Sequence, residues 1–492
     1  MKNQVQLITY VDRLPGGTFT ALQALLKGPL QGLFGGVHLL PFFDRIDGAD
    51  AGFDPIDHLR VDPRLGSWED VAELGRKVDL MVDVIVNHVS SHSPQFSDYL
   101  AHGAESPYAG MFLTLRSVFP HGATERNLLD IYRPRPGLPF TSFTLHSGER
   151  RLLWTTFTGE QIDIDVHHPA GRQYLSDILA TLSRSGVRMV RLDAVGYAVK
   201  KAGTSCFMLP ETFDFIAELS AEATSLGIEV LVEIHSHHRT QIKVAGRVGW
   251  VYDFALPPLL LHALAFGTAV PLKRWIAMRP TNAITVLDTH DGIGIIDIGA
   301  DRSVTPARPG LVPDDELDQL VEHIHQASGG QSRLATGAAA SNLDLYQVNC
   351  TYYDALGRKD VDYLIARAVQ FFLPGVPQVY YVGLLAGEND MVLLGRTGVG
   401  RDINRQRFDA AAFDTALAKP VVRQLFDLIR LRNTHPAFAG TFKLHETGDN
   451  ALHLSWSSKD AQIELVVDLR TRAHGIRSRL PGAEEQLIRF GA

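Results

Sequence analysis

The feature that most constrains this chain is a repeat. A short, mostly apolar run is followed by a loop and then an amphipathic stretch, and the unit recurs along the 492 residues. The apolar runs are Val5–Tyr10, Gly36–Leu40, Leu80–Val86, Met189–Asp193, Glu229–Glu233, Val251–Phe254, Ile284–Asp288 and Gln378–Val382. Runs this short, rich in Val, Ile and Leu and closed by polar residues, read as strands buried on both faces, which is the pattern of a parallel sheet. Between them lie helical stretches, among them Phe19–Leu26, Trp68–Lys77, Tyr174–Ser185, Glu211–Ser225, Leu259–Ala265 and Val361–Phe372, with Pro420–Arg432 after the last run. Eight strands alternating with helices predict an α/β fold of the (β/α)8 TIM-barrel type.

The repeat breaks in two places. Residues 90–169 are rich in Pro, Phe, Tyr and Gly, and their densest turn cluster is Tyr132-Arg133-Pro134-Arg135-Pro136-Gly137. A stretch of that length without the repeat is too long for one loop, so it predicts an inserted domain after strand three. Residues 297–357 form a second insertion, after strand seven. From about residue 435 apolar residues recur with period two, as in Leu452-His453-Leu454-Ser455-Trp456, which predicts a small C-terminal antiparallel β domain. The expected division is barrel 1–89, inserted domain 90–169, barrel 170–296, second insertion 297–357, barrel 358–434 and β domain 435–492.

Charge and cysteine usage narrow the function classes. A net charge of −8 with no Lys/Arg-rich block argues against a nucleic-acid surface, while leaving room for a local basic pocket for a small anion. Two cysteines, Cys206 and Cys350, cannot make a disulfide framework or a cysteine zinc site, and they fit a reducing cytoplasm. They are expected to be inert. The N-terminus enters a strand-like run with no apolar signal segment. Pro257–Phe266 is apolar but too short to span a bilayer, so it is expected to be a buried helix, and no membrane partner is expected.

In such a barrel the chemistry sits where strands end. Asp193, Glu233, His88 and His290-Asp291 all fall at C-terminal strand ends. Polar residues there also mark the mere onset of loops, and an isolated Arg-x-Asp is usually a structural ion pair. Arg191 and Asp193, two apart on a strand, share a face, so the guanidinium is expected to hold the carboxylate ionised and aimed. Asp193 and Glu233 end neighbouring strands, roughly 4.8 Å apart in the sheet, so the two carboxyl groups could bracket one glycosidic bond. Asp193 then suits a nucleophile. Glu233, after Val230-Leu231-Val232, suits a proton-holding acid/base. Asp291 could stabilise an oxocarbenium-like transition state or clamp sugar hydroxyls, and His88 and His290 could hydrogen-bond those hydroxyls.

Four segments in this order resemble the successive motifs of the α-amylase superfamily (glycoside hydrolase family 13): Asp83-Val84-Ile85-Val86-Asn87-His88, Val190-Arg191-Leu192-Asp193, Glu233 after its strand, and Thr289-His290-Asp291. The resemblance implies Asp193 as nucleophile, Glu233 as acid/base and Asp291 as transition-state stabiliser. Within that superfamily, several segments resemble the sucrose phosphorylases. These are Phe42-Phe43 leading to Asp47–Pro55, Tyr132–Phe140, Arg191–Tyr197 and Asn342–Asn349. The resemblance covers the chain to about Thr434. It implies glucose contacts from Asp50, Phe53, His88, Arg191, His290 and Arg401. It implies a phosphate side at Arg135, Tyr197, His235 and Tyr346, a fructose side at Asp344 and Gln347, and an aromatic at the acceptor entrance, Phe157. Two loops, around Arg135 and around Asp344–Gln347, are implied to rearrange between the fructose-binding and phosphate-binding states.

The implied substrates and products are sucrose, inorganic phosphate, α-D-glucose 1-phosphate and fructose, handled without cofactor or metal by a cytoplasmic homodimer. Asn87 matches a calcium-binding position of many amylases, a metal that the phosphorylases lack. Sister phosphorylases acting on sucrose 6'-phosphate, glucosylglycerol or glucosylglycerate are the nearest alternatives, followed by a sucrose hydrolase or transglucosidase. A non-catalytic barrel would lack the carboxylates, and all three are present. His235-Ser236-His237-His238 is not expected to hold a metal, and His237 and His238 are expected to be solvated loop residues. Gly16-Gly17 is a turn, since no Walker lysine follows.

Overall fold

The structure, a computed structural model, describes residues 1–48, 50–133, 137–302, 304–336 and 347–491. Its centre is a closed barrel of eight parallel strands. They are β1 (Gln6–Thr9), β2 (Gly36–Leu39), β3 (Asp79–Ile85), β4 (Met189–Asp193), β5 (Glu229–Val232), β6 (Trp250–Asp253), β7 (Ala283–Thr285) and β8 (Val376–Tyr380). Neighbours in sequence are neighbours in the barrel, and β8 closes on β1. The register brings Asp83 of β3 beside Arg191 of β4, and Ile85 beside Asp193.

The strand before the central carboxylate is set up by its helix. Pro169 opens the helix Pro169–Arg184 at its first turn, where its missing N–H costs nothing, and the His168 side chain caps the first turn by accepting from Ala170 N–H. Tyr174, Leu175, Ile178, Leu179 and Leu182 form its buried stripe. Each such side chain contributes roughly 1.5–3 kcal/mol by leaving water. Gly186, at φ 77°, ends the helix in a backbone region that other residues reach only with strain, and β4 begins three residues later.

The excursion after β3 is pinned where it leaves and where it returns. His88–Ser90 pairs antiparallel with Gln161–Asp163. Between them, Phe140–Thr144 and Arg150–Trp154 form a hairpin over a separate small core of Leu113, Phe119, Ile131, Trp154 and Cys206. Lys200 locks this return to the barrel. Its ammonium lies 2.7 Å from Asp163 and donates to Asn87 Oδ1 at 2.9 Å, with the side chain only 1% exposed. The second insertion contributes the helices Asp314–Ala327 and Gln331–Thr336. The chain ends in a five-stranded antiparallel sheet, β9 (Thr441–Leu444), β10 (Ala451–Ser457), β11 (Gln462–Asp468), β12 (His474–Arg479) and β13 (Gln486–Ile488). Alternate residues such as Leu452, Leu454, Ile463, Leu465 and Val467 are buried, and Trp456 donates its indole N–H to Phe372 O.

Several expectations need correction. β7 stops at Thr285 rather than Asp288, because the Asp288 carboxylate turns aside to accept from Arg367 at 2.7 and 2.8 Å. β8 starts earlier, at Val376, and Tyr381–Leu384 is a short helix. The apolar run crosses that boundary without a break. His237 and His238 are buried, not solvated. His237 caps the helix His238–Ala245 and reaches Pro309 O at 3.1 Å, and His238 meets Trp275 edge-on. The apolar stretch around Pro257 is a buried helix, Leu256–Phe266. No helix among the described residues is long and apolar enough to cross a membrane.

Candidate active site

At the C-terminal ends of the strands lies a cavity of about 340 Å³. Asp50, Phe53, His88, Asp193, Glu233, His290, Asp291 and Arg401 line one part of it. Phe157, Tyr197, His235 and Gln347 line another. Of the residues singled out in the sequence, Arg191 sits directly behind Asp193, and Arg135, Asp344 and Tyr346 lie outside the described residues.

Arg191 organises the centre. Its side chain is 3% exposed, and Nη1 donates to Asp83 Oδ1 at 2.6 Å and to Asp193 Oδ1 at 2.7 Å. Its other terminal nitrogen lies 3.9 Å from Glu233 Oε1 and 4.0 Å from Asp291 Oδ2. One buried cation thus faces four carboxyl groups. Asp83 is anchored in turn by His38, whose Nε2 lies 3.0 Å from Asp83 Oδ2. The motif that contains Asp83 was visible in the sequence, but the support that Asp83 and His38 give to Arg191 was not.

The expectation that Arg191 keeps the Asp193 carboxyl low is corrected. Burial pushes Asp193 up to about 8; Arg191 opposes this, while Glu233, Asp83 and Asp291 reinforce it. The Arg191 N–H donated to Asp193 Oδ1 is the contact that favours the ionised form of Asp193 against burial. Asp291 behaves oppositely. Burial raises it, but Arg401 at 2.8 Å, with His290, Arg191 and Arg405, overrides burial and holds it well below the usual carboxylate range.

The remaining walls are specific. Phe53 and His290 stack face to face, with ring centroids 4.5 Å apart at 11°. Burial lowers His290 to about 3, so its imidazole is neutral and can exchange hydrogen bonds with hydroxyls. His88 Nε2 lies 3.0 Å from Phe53 O and 3.0 Å from Gln161 Nε2, a partner that the sequence did not suggest. Asp50 stands near Arg401 at 3.9 Å and Arg405 at 3.5 Å. On the other side, Phe157 packs against Tyr197, and Tyr197 packs against Phe207, which stacks in turn on Tyr132. His235 stacks on Phe254 at 3.8 Å and 12°. Glu233, His235 and Asp291 have ligand-type atoms within 4.8 Å of one another. An ion there would compete with the guanidiniums of Arg191 and Arg401 for the same carboxylates.

Two neighbouring carboxyl groups, a third held ionised, and an apolar ring stacked on a neutral imidazole around one small cavity form a machine for glycosyl transfer. Known proteins agree with this chemistry. Residues 31–244 match the family described as Alpha amylase, catalytic domain. A sucrose phosphorylase of Agrobacterium vitis is 62% identical over 467 residues, covering 95% of each chain. Another, of Bifidobacterium adolescentis, is 54% identical over 483 residues, covering 98% of this chain and 95% of that one. The crystal structure of sucrose 6F-phosphate phosphorylase from Thermoanaerobacter thermosaccharolyticum aligns with a TM-score of 0.91 at 38% identity, covering 99% of this chain and 98% of that chain. With identity at this level over nearly its whole length, the chain belongs to the sucrose phosphorylase family of the α-amylase superfamily.

Proposed function

We propose that this protein converts sucrose and inorganic phosphate to α-D-glucose 1-phosphate and fructose by two displacements with net retention. In the first, Asp193 attacks the anomeric carbon of the glucosyl unit and Glu233 protonates the departing fructosyl oxygen. A β-glucosyl ester of Asp193 is left in the cavity. In the second, a phosphate oxygen attacks the same carbon, Glu233 takes the acceptor's proton, and Asp193 is released. Asp291, held ionised, stabilises positive charge on the ring in both transition states. Asp50, Phe53, His88, Arg191, His290 and Arg401 position the glucose. Phe157, Tyr197, His235 and Gln347, with Arg135, Asp344 and Tyr346, serve the acceptor side.

The observation that carries the reading is the single buried guanidinium of Arg191, bonded to Asp193 and facing Glu233 and Asp291 in one cavity. Unphosphorylated fructose is favoured over its phosphate. Arg401 is the one Lys or Arg among the described residues lining the cavity, and it is 2.8 Å from Asp291. A sugar phosphate would need a further cation. The reading carries with it a cytoplasmic homodimer with no nucleic-acid, membrane or cofactor partner, and the domain division expected from the sequence.

Incubation with sucrose, with and without phosphate, tests it. Glucose 1-phosphate is expected to dominate when phosphate is present. Free glucose as the main product under both conditions would overturn phosphorolysis in favour of hydrolysis. Asp193→Ala is expected to abolish both products, and near-normal turnover would refute the assigned nucleophile.

A further inference from the structure

We propose that Asp297, outside the carboxylate triad, is a positioning residue that fixes the tautomer and charge of His235 and so makes the acceptor side receptive to an inorganic oxyanion. The inference rests on the phosphorolysis reading and concerns how that reaction recognises its second substrate.

Asp297 is fully buried. Its Oδ2 lies 2.8 Å from His235 Nδ1, while Oδ1 accepts from Ser236 N at 3.0 Å and from Gln241 Nε2 at 2.7 Å. Burial raises the Asp297 carboxyl above its ordinary value, and the N–H donors of His235, Ser236 and Gln241 oppose it by favouring the ionised form. With Nδ1–H given to Asp297, the other ring nitrogen must face the cavity. Nε2 lies 3.2 Å from Gln347 Nε2 and 3.8 Å from Glu233 Oε1. The stack on Phe254 fixes the ring plane. Gly294 closes the back of the pair. A Cβ there would stand 2.1 Å from Asp297 Oδ2 and 2.9 Å from His235 Nδ1, so its backbone packs flush against them.

This arrangement gives His235 two useful states. Neutral, Nε2 accepts from the Gln347 amide. Protonated, both ring nitrogens donate, and Nε2–H points toward Glu233 and any oxyanion brought beside it. The groups that decide between the states are Asp297 behind the ring and Glu233 and Asp291 across the cavity. Gln347 and Phe254, also packed against it, are uncharged. Burial opposes the charge, but Asp297, Glu233 and Asp291 outweigh it and raise His235 above its ordinary value. Phosphate enters a cavity rich in carboxylates, so a proton held on His235 supplies the charge that it needs there.

The test measures apparent phosphate KM from glucose 1-phosphate formation and, separately, fructose release with water as the acceptor. Wild type, Asp297→Asn and His235→Asn are compared across pH. Asp297→Asn is expected to raise phosphate KM about tenfold, the effect of roughly one pKa unit, and to change fructose release by less than about threefold. In wild type, phosphate KM is expected to climb as pH rises through the His235 titration. In Asp297→Asn that climb begins at lower pH, and the ionisation of phosphate itself is common to both. An unchanged phosphate KM and pH profile would overturn the proposal, as would equal losses in both readouts, the mark of a merely structural role. Should Asp297→Asn not fold, His235→Asn decides, because a wild-type pH profile in that variant also overturns it. Wild-type enzyme that makes glucose but no glucose 1-phosphate fails the phosphorolysis reading instead, whatever the variants do.

Discussion

Replacing Arg191 by Lys keeps the charge and removes the fork. The guanidinium bonds Asp83 at 2.6 Å and Asp193 at 2.7 Å while presenting its second terminal nitrogen to Glu233 and Asp291 at 3.9 and 4.0 Å. A lysine ammonium is a point charge on a shorter reach and cannot serve all four. At least one charge-assisted hydrogen bond is lost, about 1.5–3 kcal/mol. If the lost bond is the one aiming Asp193, kcat/KM for sucrose falls by roughly 10- to 150-fold, since 1.4 kcal/mol is one decade. Arg191→Met removes the charge as well. It leaves buried carboxylates uncompensated and is expected to cost about 3–5 kcal/mol of stability. Initial rates of fructose release and thermal unfolding of the three proteins measure these effects. An Arg191→Lys enzyme within threefold of wild type in kcat/KM would refute the idea that the fork aims the nucleophile. An Arg191→Met protein with unchanged melting temperature would refute the claim that one cation holds the carboxyl cluster together.

The pH profile of kcat/KM for sucrose should climb as pH rises through the Asp193 value of about 8, because only the ionised carboxylate can attack the anomeric carbon. A profile flat from about pH 7 to 9, roughly one unit below that value to one above, would refute the raised Asp193 carboxyl. Lys200→Met should destabilise the fold by about 3–5 kcal/mol, since the buried Asp163 loses its counter-charge, and thermal unfolding checks this. Arg135→Ala should raise phosphate KM by about tenfold with little effect on sucrose KM, as expected for the loss of a charged hydrogen bond to phosphate; equal effects on both would remove Arg135 from the phosphate side.

Legibility in the sequence followed the kind of contact. The barrel was readable because buried parallel strands carry their signal locally, as in Met189–Asp193, whose predicted and observed bounds coincide. Asp193 ends β4 and Glu233 follows β5 directly, as expected, whereas Asp291 stands in the loop beyond the end of β7 at Thr285 and still lines the same cavity. What was missed depends on contacts between distant residues. Asp297 meets His235 across 62 positions, and Gln161 meets His88 across 73. No period or spacing marks such pairs. The burial of His237 and His238 was misread because polarity in a loop suggests solvent, whereas here the imidazoles cap and underpin a helix. The ionisation of Asp193 was misread because Arg191 is visible in the sequence and the depth of burial is not.

The same distinction separates the two halves of the reaction. The bond-breaking half rests on strand ends joined in register, with Asp83 beside Arg191 and Ile85 beside Asp193, and on side chains with little freedom to move. A network of that kind resists change, because every carboxyl group in it depends on the same guanidinium. The acceptor half draws on loops: Phe157 from the excursion after β3, His235 after β5 and Gln347 from the second insertion. Their contacts are single hydrogen bonds and ring packing, such as the 3.2 Å contact between Gln347 and His235. Substitutions there can change which acceptor takes the glucose without disturbing how the glucosyl ester forms. Relatives that share the carboxylate centre can therefore differ in acceptor, and on the reading proposed above the choice in this chain turns on protonation of His235 together with the charge expected of Arg135.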